Sequence, residues 1–178
     1  MAKFNLALSK VLSHEGGYVN DPDDLGGETY KGISRNSYST WEGWEIIDKG
    51  KKGPAFPANM IKHARLQQLV DQFYFDTFWK PLNAEQIQNQ TSADSVFDFA
   101  VNSGLTTLAR LVQSIVGAKI DGCIGEITLN QINSMDFGHF QAALTVAKME
   151  YYMNIIRKRP TSKKFLLGRI FRSLSFND

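Results

Sequence analysis

Three residues have the types and the spacing to do chemistry together: the acids Glu15 and Asp24 and the hydroxyl of Thr29. They lie in Glu15–Ser34, a stretch with five glycines, one proline and five carboxylates in twenty residues. Glycosidic cleavage asks for such a set. One carboxylic acid protonates the leaving oxygen, and a second group steadies the oxocarbenium-like state or orients water. Glu15 is the candidate acid, and Asp24 and Thr29 are candidates for the second role. A solvated Asp/Gly-rich loop would show the same composition, so the pattern alone leaves both readings open.

The elements around the stretch decide what it can present. Phe4, Ala7, Leu8, Val11 and Leu12 repeat at helical spacing, which predicts a helix over about 3–14 stopped by Gly16 or Gly17. Glu15 then sits at a helix C-terminus, where the dipole disfavours an anion and suits a proton donor. Thr29–Ser34 fits a short extended piece. Tyr38, Trp41 and Trp44 form an aromatic cluster, followed by a polar turn at Lys49–Pro54. A long helix is expected over about 57–78, opened by Pro57 and ended by Pro81. Thr91 and Asp94 resemble a capping box for the next helix, which Asn102-Ser103-Gly104 breaks. Further helices are expected up to Gly117, around Ile127–Ile132, over about 137–158 and over about 162–174. The class is mainly α, with a small irregular or β-containing segment near the N-terminus.

Several chemistries lack support. His14-Glu15-Gly16-Gly17-Tyr18 is a truncated zinc-protease motif with Tyr18 where the second histidine belongs. Asp21, Asp23 and Gly26 match a calcium loop, but Leu25 and Gly32 occupy positions that need oxygen ligands. No phosphate-binding or dinucleotide fingerprint is present. A lone cysteine, Cys123, excludes an internal disulfide and reads as a small packing residue. The net charge of +2 is no nucleic-acid signature. Lys148, Arg157, Lys158, Arg159, Lys163, Lys164, Arg169 and Arg172 cluster near the C-terminus, as a solvated helix face would. No apolar run approaches a membrane span, and Asn5, Ser9 and Lys10 interrupt what a signal peptide would keep continuous.

Glu15-Gly16-Gly17-Tyr18-Val19-Asn20-Asp21-Pro22, with Asp24-x-Gly26-Gly27-x-Thr29-x-x-Gly32-Ile33 after it, resembles the N-terminal signature of glycoside hydrolase family 108. These are lysozyme-like N-acetylmuramidases, often labelled secretion activator proteins. Phe97–Gly104 and Asp121-Gly122-x-x-Gly125-x-x-Thr128 resemble the family's C-terminal predicted peptidoglycan-binding region. The resemblance implies a lysozyme-like helical fold. Its catalytic region would occupy residues 1–90 and its helical binding region 91–178, packed as one globule.

The resemblance also implies cleavage of the β-1,4 bond between N-acetylmuramic acid and N-acetylglucosamine, with Glu15 as general acid. Asp24 and Thr29 match the Glu, Asp and Thr arrangement of phage-type lysozymes. Tyr18, Tyr30, Trp41 and Asn102 are the candidate substrate-binding residues, and Asp21, Asp23 and Glu28 read as turn and surface residues. No metal or organic cofactor is needed. The implied partner is the peptidoglycan glycan strand, with no nucleic acid. Synthesis in the cytoplasm and action on the cell wall would require an export or holin-type route. Leu25 stands where the family usually has proline. A non-catalytic wall-binding or secretion-assisting module and a lytic transglycosylase are the alternatives.

Overall fold

The computed structural model describes residues 1–20 and 27–175. The protein is mainly α with a small three-stranded antiparallel sheet near the N-terminus. Its chain divides into two compact units, Leu8–Phe75 and Met1–Ala7 with Asp76–Asp178.

In the Leu8–Phe75 unit, helix α1 (Phe4–His14) enters from the other unit and buries Leu8 and Val11. Strands β1 (Tyr18–Asn20), β2 (Glu28–Tyr30) and β3 (Ile33–Ser34) follow. Tyr18 pairs with Tyr30, Val19 with Thr29 and Asn20 with Glu28. Tyr30 pairs with Ile33 across the two-residue turn Lys31-Gly32. Both turn residues have positive φ, 46° and 78°. That backbone matches the right-handed twist of a tight hairpin, and glycine accepts it without a side-chain clash.

Helix α2 (Gly43–Gly50) buries Trp44 and Ile47. Its last residues overlap the stretch expected as a polar turn at Lys49–Pro54. The long helix expected over 57–78 is broken instead. A 3-10 helix, Ala58–Lys62, is followed by α3 (Ala64–Tyr74) and a π-helical turn, Phe75–Trp79. The break is His63, whose backbone is extended and whose ring accepts the Leu66 N–H as an N-cap.

The other unit contains α4 (Gln90–Ser103), α5 (Leu105–Val116), α6 (Glu126–Ser134), α7 (Phe137–Lys158) and α8 (Leu166–Leu174). Asn89 caps α4 by accepting the Ser92 N–H, in place of the expected Thr91/Asp94 box, and Asp94 is buried inside the helix. Gly117, at φ 72°, closes α5 as its position predicts. α4 packs against α5 and α7, and α7 against α8. The Phe4 ring meets Trp79 and Phe97 in this core.

Two readings of the basic C-terminal run need correction. Lys148 is 1 % exposed, and its ammonium donates to the Ser95 carbonyl at 3.0 Å and Oγ at 2.6 Å. Arg172 pairs with the buried Asp98 at 2.7 Å. Lys148 is taken out of water because α4 supplies polar partners on the face that α7 covers, and Arg172 is partly withdrawn by its pairing with Asp98 on α4. Cys123, expected as a packing residue, is exposed.

Candidate active site

Glu15 follows α1 directly, and its N–H still reaches back to the Leu12 carbonyl at 3.3 Å. Its half-buried carboxyl lies over the Lys31-Gly32 turn. A methyl group placed on Gly32 would come within 2.6 Å of Glu15 Oε2 and 2.7 Å of the Tyr74 hydroxyl. Only a residue without Cβ allows that approach.

The turn beneath Glu15 is fixed at three points on one residue. The Lys31 N–H donates to the Gly17 carbonyl at 3.0 Å. Its carbonyl accepts from the Tyr74 hydroxyl at 2.7 Å. Its ammonium donates to Gln67 Oε1 at 2.6 Å. Such anchoring explains how a lysine is held at positive φ, where a side chain costs strain.

Gln67, Asp71 and Tyr74 stand at i, i+4 and i+7 on α3 and so share one face. Gln67 also donates to the Tyr30 hydroxyl and the Met60 carbonyl, each at 2.9 Å. Desolvation raises the Asp71 carboxyl above its ordinary range, against the pull of the Lys31 ammonium. None of the three was singled out from sequence as a site residue. Tyr74 falls within the helix expected over about 57–78, at helical spacing with apolar Val70 and Phe78. The signal that could have found them is the polar row Gln67–Asp71–Tyr74 at helical spacing.

The other candidate residues are placed as follows. Asp24, together with Asp21 and Asp23, lies outside the described residues. Thr29 is half-buried in β2, opposite Val19 and Ser34. The pleat puts Thr29 on the sheet face opposite the paired Tyr18 and Tyr30. Tyr30 is 2 % exposed, with its hydroxyl engaged by Met60 and Gln67, so its ring is a core element. Burial raises the Tyr30 phenol above its ordinary value.

Tyr18 is half-buried, its ring 4.6 Å edge-on from Phe56 and 5.7 Å from the Lys51 ammonium. Trp41 is half-buried, stacked on Tyr30 and edge-on to Trp44 and Phe73, with its indole N–H on the Leu69 carbonyl at 3.3 Å. Asn102 belongs to the other unit and donates to the Asp98 carbonyl at 2.7 Å.

Glu28, expected on the surface, is instead a packed anchor. Its carboxylate takes Lys51 at 2.6 Å and Arg35 at 3.0 Å, and its side chain is 11 % exposed. Asp48 on α2 binds the same two cations, and the Arg35 hydrogen bond lowers its carboxyl. The cluster ties α2 to the sheet beside Glu15. Among the described residues no group of three or more His, Cys, Asp or Glu could hold a metal ion.

Residues 8–104 match the family model described as glycosyl hydrolase 108. The chain belongs to glycosyl hydrolase family 108. In this family 108 protein, residues 107–173 match a second model, a predicted peptidoglycan domain. A solved structure of SagA from Brucella abortus is similar at 26% identity and a TM-score of 0.65, covering 98% of this chain and 95% of that one. No curated protein sequence is significantly similar. The two family matches support a cell-wall hydrolase or binding role with peptidoglycan as partner. No helix among the described residues is long and apolar enough to cross a membrane.

In the second region, the Asp121–Thr128 turn is organised by Gln113 of α5. The Gln113 amide donates to Asp121 at 2.7 Å and to the Cys123 carbonyl at 2.9 Å, while its oxygen accepts the Gly122 N–H at 2.9 Å. The Gln113 amide and the Cys123 N–H hold the Asp121 carboxyl below its ordinary range. Asp121 is thus engaged by Gln113 of α5 and by the Cys123 N–H of its own turn.

Proposed function

We propose that this protein is an N-acetylmuramidase that cleaves the β-1,4 bond between N-acetylmuramic acid and N-acetylglucosamine, with Glu15 as general acid. The observation that carries the reading is the Glu15 carboxyl at the end of α1, lying over the bare Cα of Gly32 on a turn pinned by Tyr74 and Gln67. A proton donor held on rigid elements beside a tight turn is what glycosidic bond cleavage needs.

In the proposed reaction Glu15 gives its proton to the glycosidic oxygen as the C1–O bond breaks. The positive charge that develops on C1 and the ring oxygen is met by a second group. Water then adds to C1, and a proton returns to a carboxylate. Asp24 and Thr29 are assigned the second role through their match to the lysozyme arrangement. Tyr18 and Trp41 are the proposed sugar contacts in the unit that carries Glu15, and Asn102 is a separately proposed polymer contact of the other unit. The chain would act at the cell wall, reached by an export or holin-type route.

The test uses purified insoluble peptidoglycan. New reducing ends, with mass spectra showing hydrated muramic-acid ends, are the expected result. Anhydro ends would assign a lytic transglycosylase. Sedimentation with the polymer and no new reducing ends would assign a non-catalytic wall-binding module.

A further inference from the structure

We infer that Tyr74 is a positioning residue for Glu15, a hydroxyl that switches its hydrogen between the Lys31 carbonyl and the Glu15 carboxylate as the proton leaves. The inference rests on the reading of Glu15 as the general acid.

Tyr74 is 1 % exposed, near the end of α3. A tyrosine hydroxyl has one hydrogen, and here it goes to the Lys31 carbonyl at 2.7 Å. The same oxygen and the Glu15 carboxyl both lie beside the bare Cα of Gly32. A point one Cβ bond above Gly32 lies 2.7 Å from the Tyr74 oxygen and 2.6 Å from Glu15 Oε2. Both oxygens therefore border the space left by the missing side chain of Gly32, within about 5 Å of each other.

While Glu15 holds its proton, the tyrosine hydrogen is best used on Lys31. Once the proton has passed to the glycosidic oxygen, Glu15 is a carboxylate and accepts more strongly than a peptide carbonyl. Rotation about the tyrosine C–O bond, with the carboxylate closing on the hydroxyl across the space above Gly32, then brings the hydrogen to that carboxylate. No bond to Tyr74 forms or breaks and no further reactant is used. The interaction is stronger in the transition state than with bound substrate, so it acts on kcat and leaves substrate affinity alone.

The experiment compares wild type, Tyr74→Phe and Glu15→Gln on soluble peptidoglycan fragments, with kcat and KM measured separately. Sedimentation with insoluble peptidoglycan and the thermal midpoint report folding. The inference expects Tyr74→Phe to lose about tenfold or more in kcat, with KM within about twofold of wild type and polymer binding retained. An unchanged kcat overturns it. A loss confined to KM, or one matched by lost polymer binding and a collapsed thermal midpoint, also overturns it and leaves Tyr74 a purely structural residue. A wild type without glycosidase activity, or a Glu15→Gln variant as active as wild type, overturns the reading of Glu15 itself. An inactive Glu15→Gln beside a fully active Tyr74→Phe sinks only the inference drawn from Tyr74.

Discussion

Replacing Gly32 by alanine tests whether the bare turn is what holds Glu15. The added methyl would lie 2.6 Å from Glu15 Oε2 and 2.7 Å from the Tyr74 oxygen. Ordinary contact is near 3.5 Å, so the carboxyl has to retreat by about 0.9 Å. A displacement of about 1 Å at a reacting group can cost on the order of 100-fold in rate. Alanine at a φ of +78° also costs about 1–2 kcal/mol of backbone strain.

Gly117→Ala separates the two effects. Gly117 has a φ of +72° with nothing within 4 Å of its would-be methyl, so it carries the strain without the clash. For a chain of this length each kcal/mol moves the thermal midpoint by about 2–4 °C. Both variants are expected to lose several degrees, while reducing-end release from peptidoglycan falls about 100-fold in Gly32→Ala alone. Full activity in Gly32→Ala, or an equal loss in Gly117→Ala, would refute the geometric reasoning.

Further outcomes concern the buried charges of the second unit. Burial lowers Lys148 from 10.5 to about 8, although Asp98 opposes the shift. The unfolded chain therefore binds more protons between about pH 8 and 10.5, and stability rises with pH across that window, by on the order of 3 kcal/mol. Tyr152 has the opposite sign: burial raises its phenol from 10.0 to about 12, so stability is lost as pH climbs between those values. Urea midpoints should peak near pH 10, and Lys148→Met should abolish the rise; a flat profile from pH 8 to 10 in wild type would contradict the burial of Lys148. Asp98→Asn removes the carboxylate that pairs with the part-buried Arg172 and opposes the desolvation of Lys148, and should cost about 3–5 kcal/mol. Chemical denaturation measures it, and a loss below about 1 kcal/mol would show the pair to be solvent-screened.

What the sequence made legible follows where the determining forces are local. α1, α5 and α7 each bury one face, so their apolar periodicity stands out, and Gly117 marks a stop because a left-handed residue is needed there. α2 was hidden because it is short, bounded by glycines, and runs into the polar Lys49–Pro54 stretch. The helix expected over 57–78 ran too far because His63 works as a cap through its ring, a role that periodicity does not reveal.

The misread charges share one cause: their partners are remote in sequence. Lys148 meets Ser95 across 53 residues and Arg172 meets Asp98 across 74. Glu28 is likewise fixed by Lys51, on the turn beyond α2. At the candidate site the Glu-Gly-Gly-Tyr motif pointed to Glu15, while its surroundings stayed hidden. Tyr74 looks apolar in a stripe, and its hydroxyl acquires a role only when α3 is laid against the Lys31-Gly32 turn. The turn itself was half legible, since Gly32 announces a positive φ but Lys31 does not.

The central claim is that Glu15 supplies the proton. Its most direct test is reducing-end release from purified peptidoglycan by Glu15→Gln, a substitution that keeps the shape of the side chain and removes the acid. The expected result is a fall of about 10²–10⁴-fold with polymer binding and thermal midpoint retained. A folded Glu15→Gln protein that clears peptidoglycan at near the wild-type rate would contradict the account.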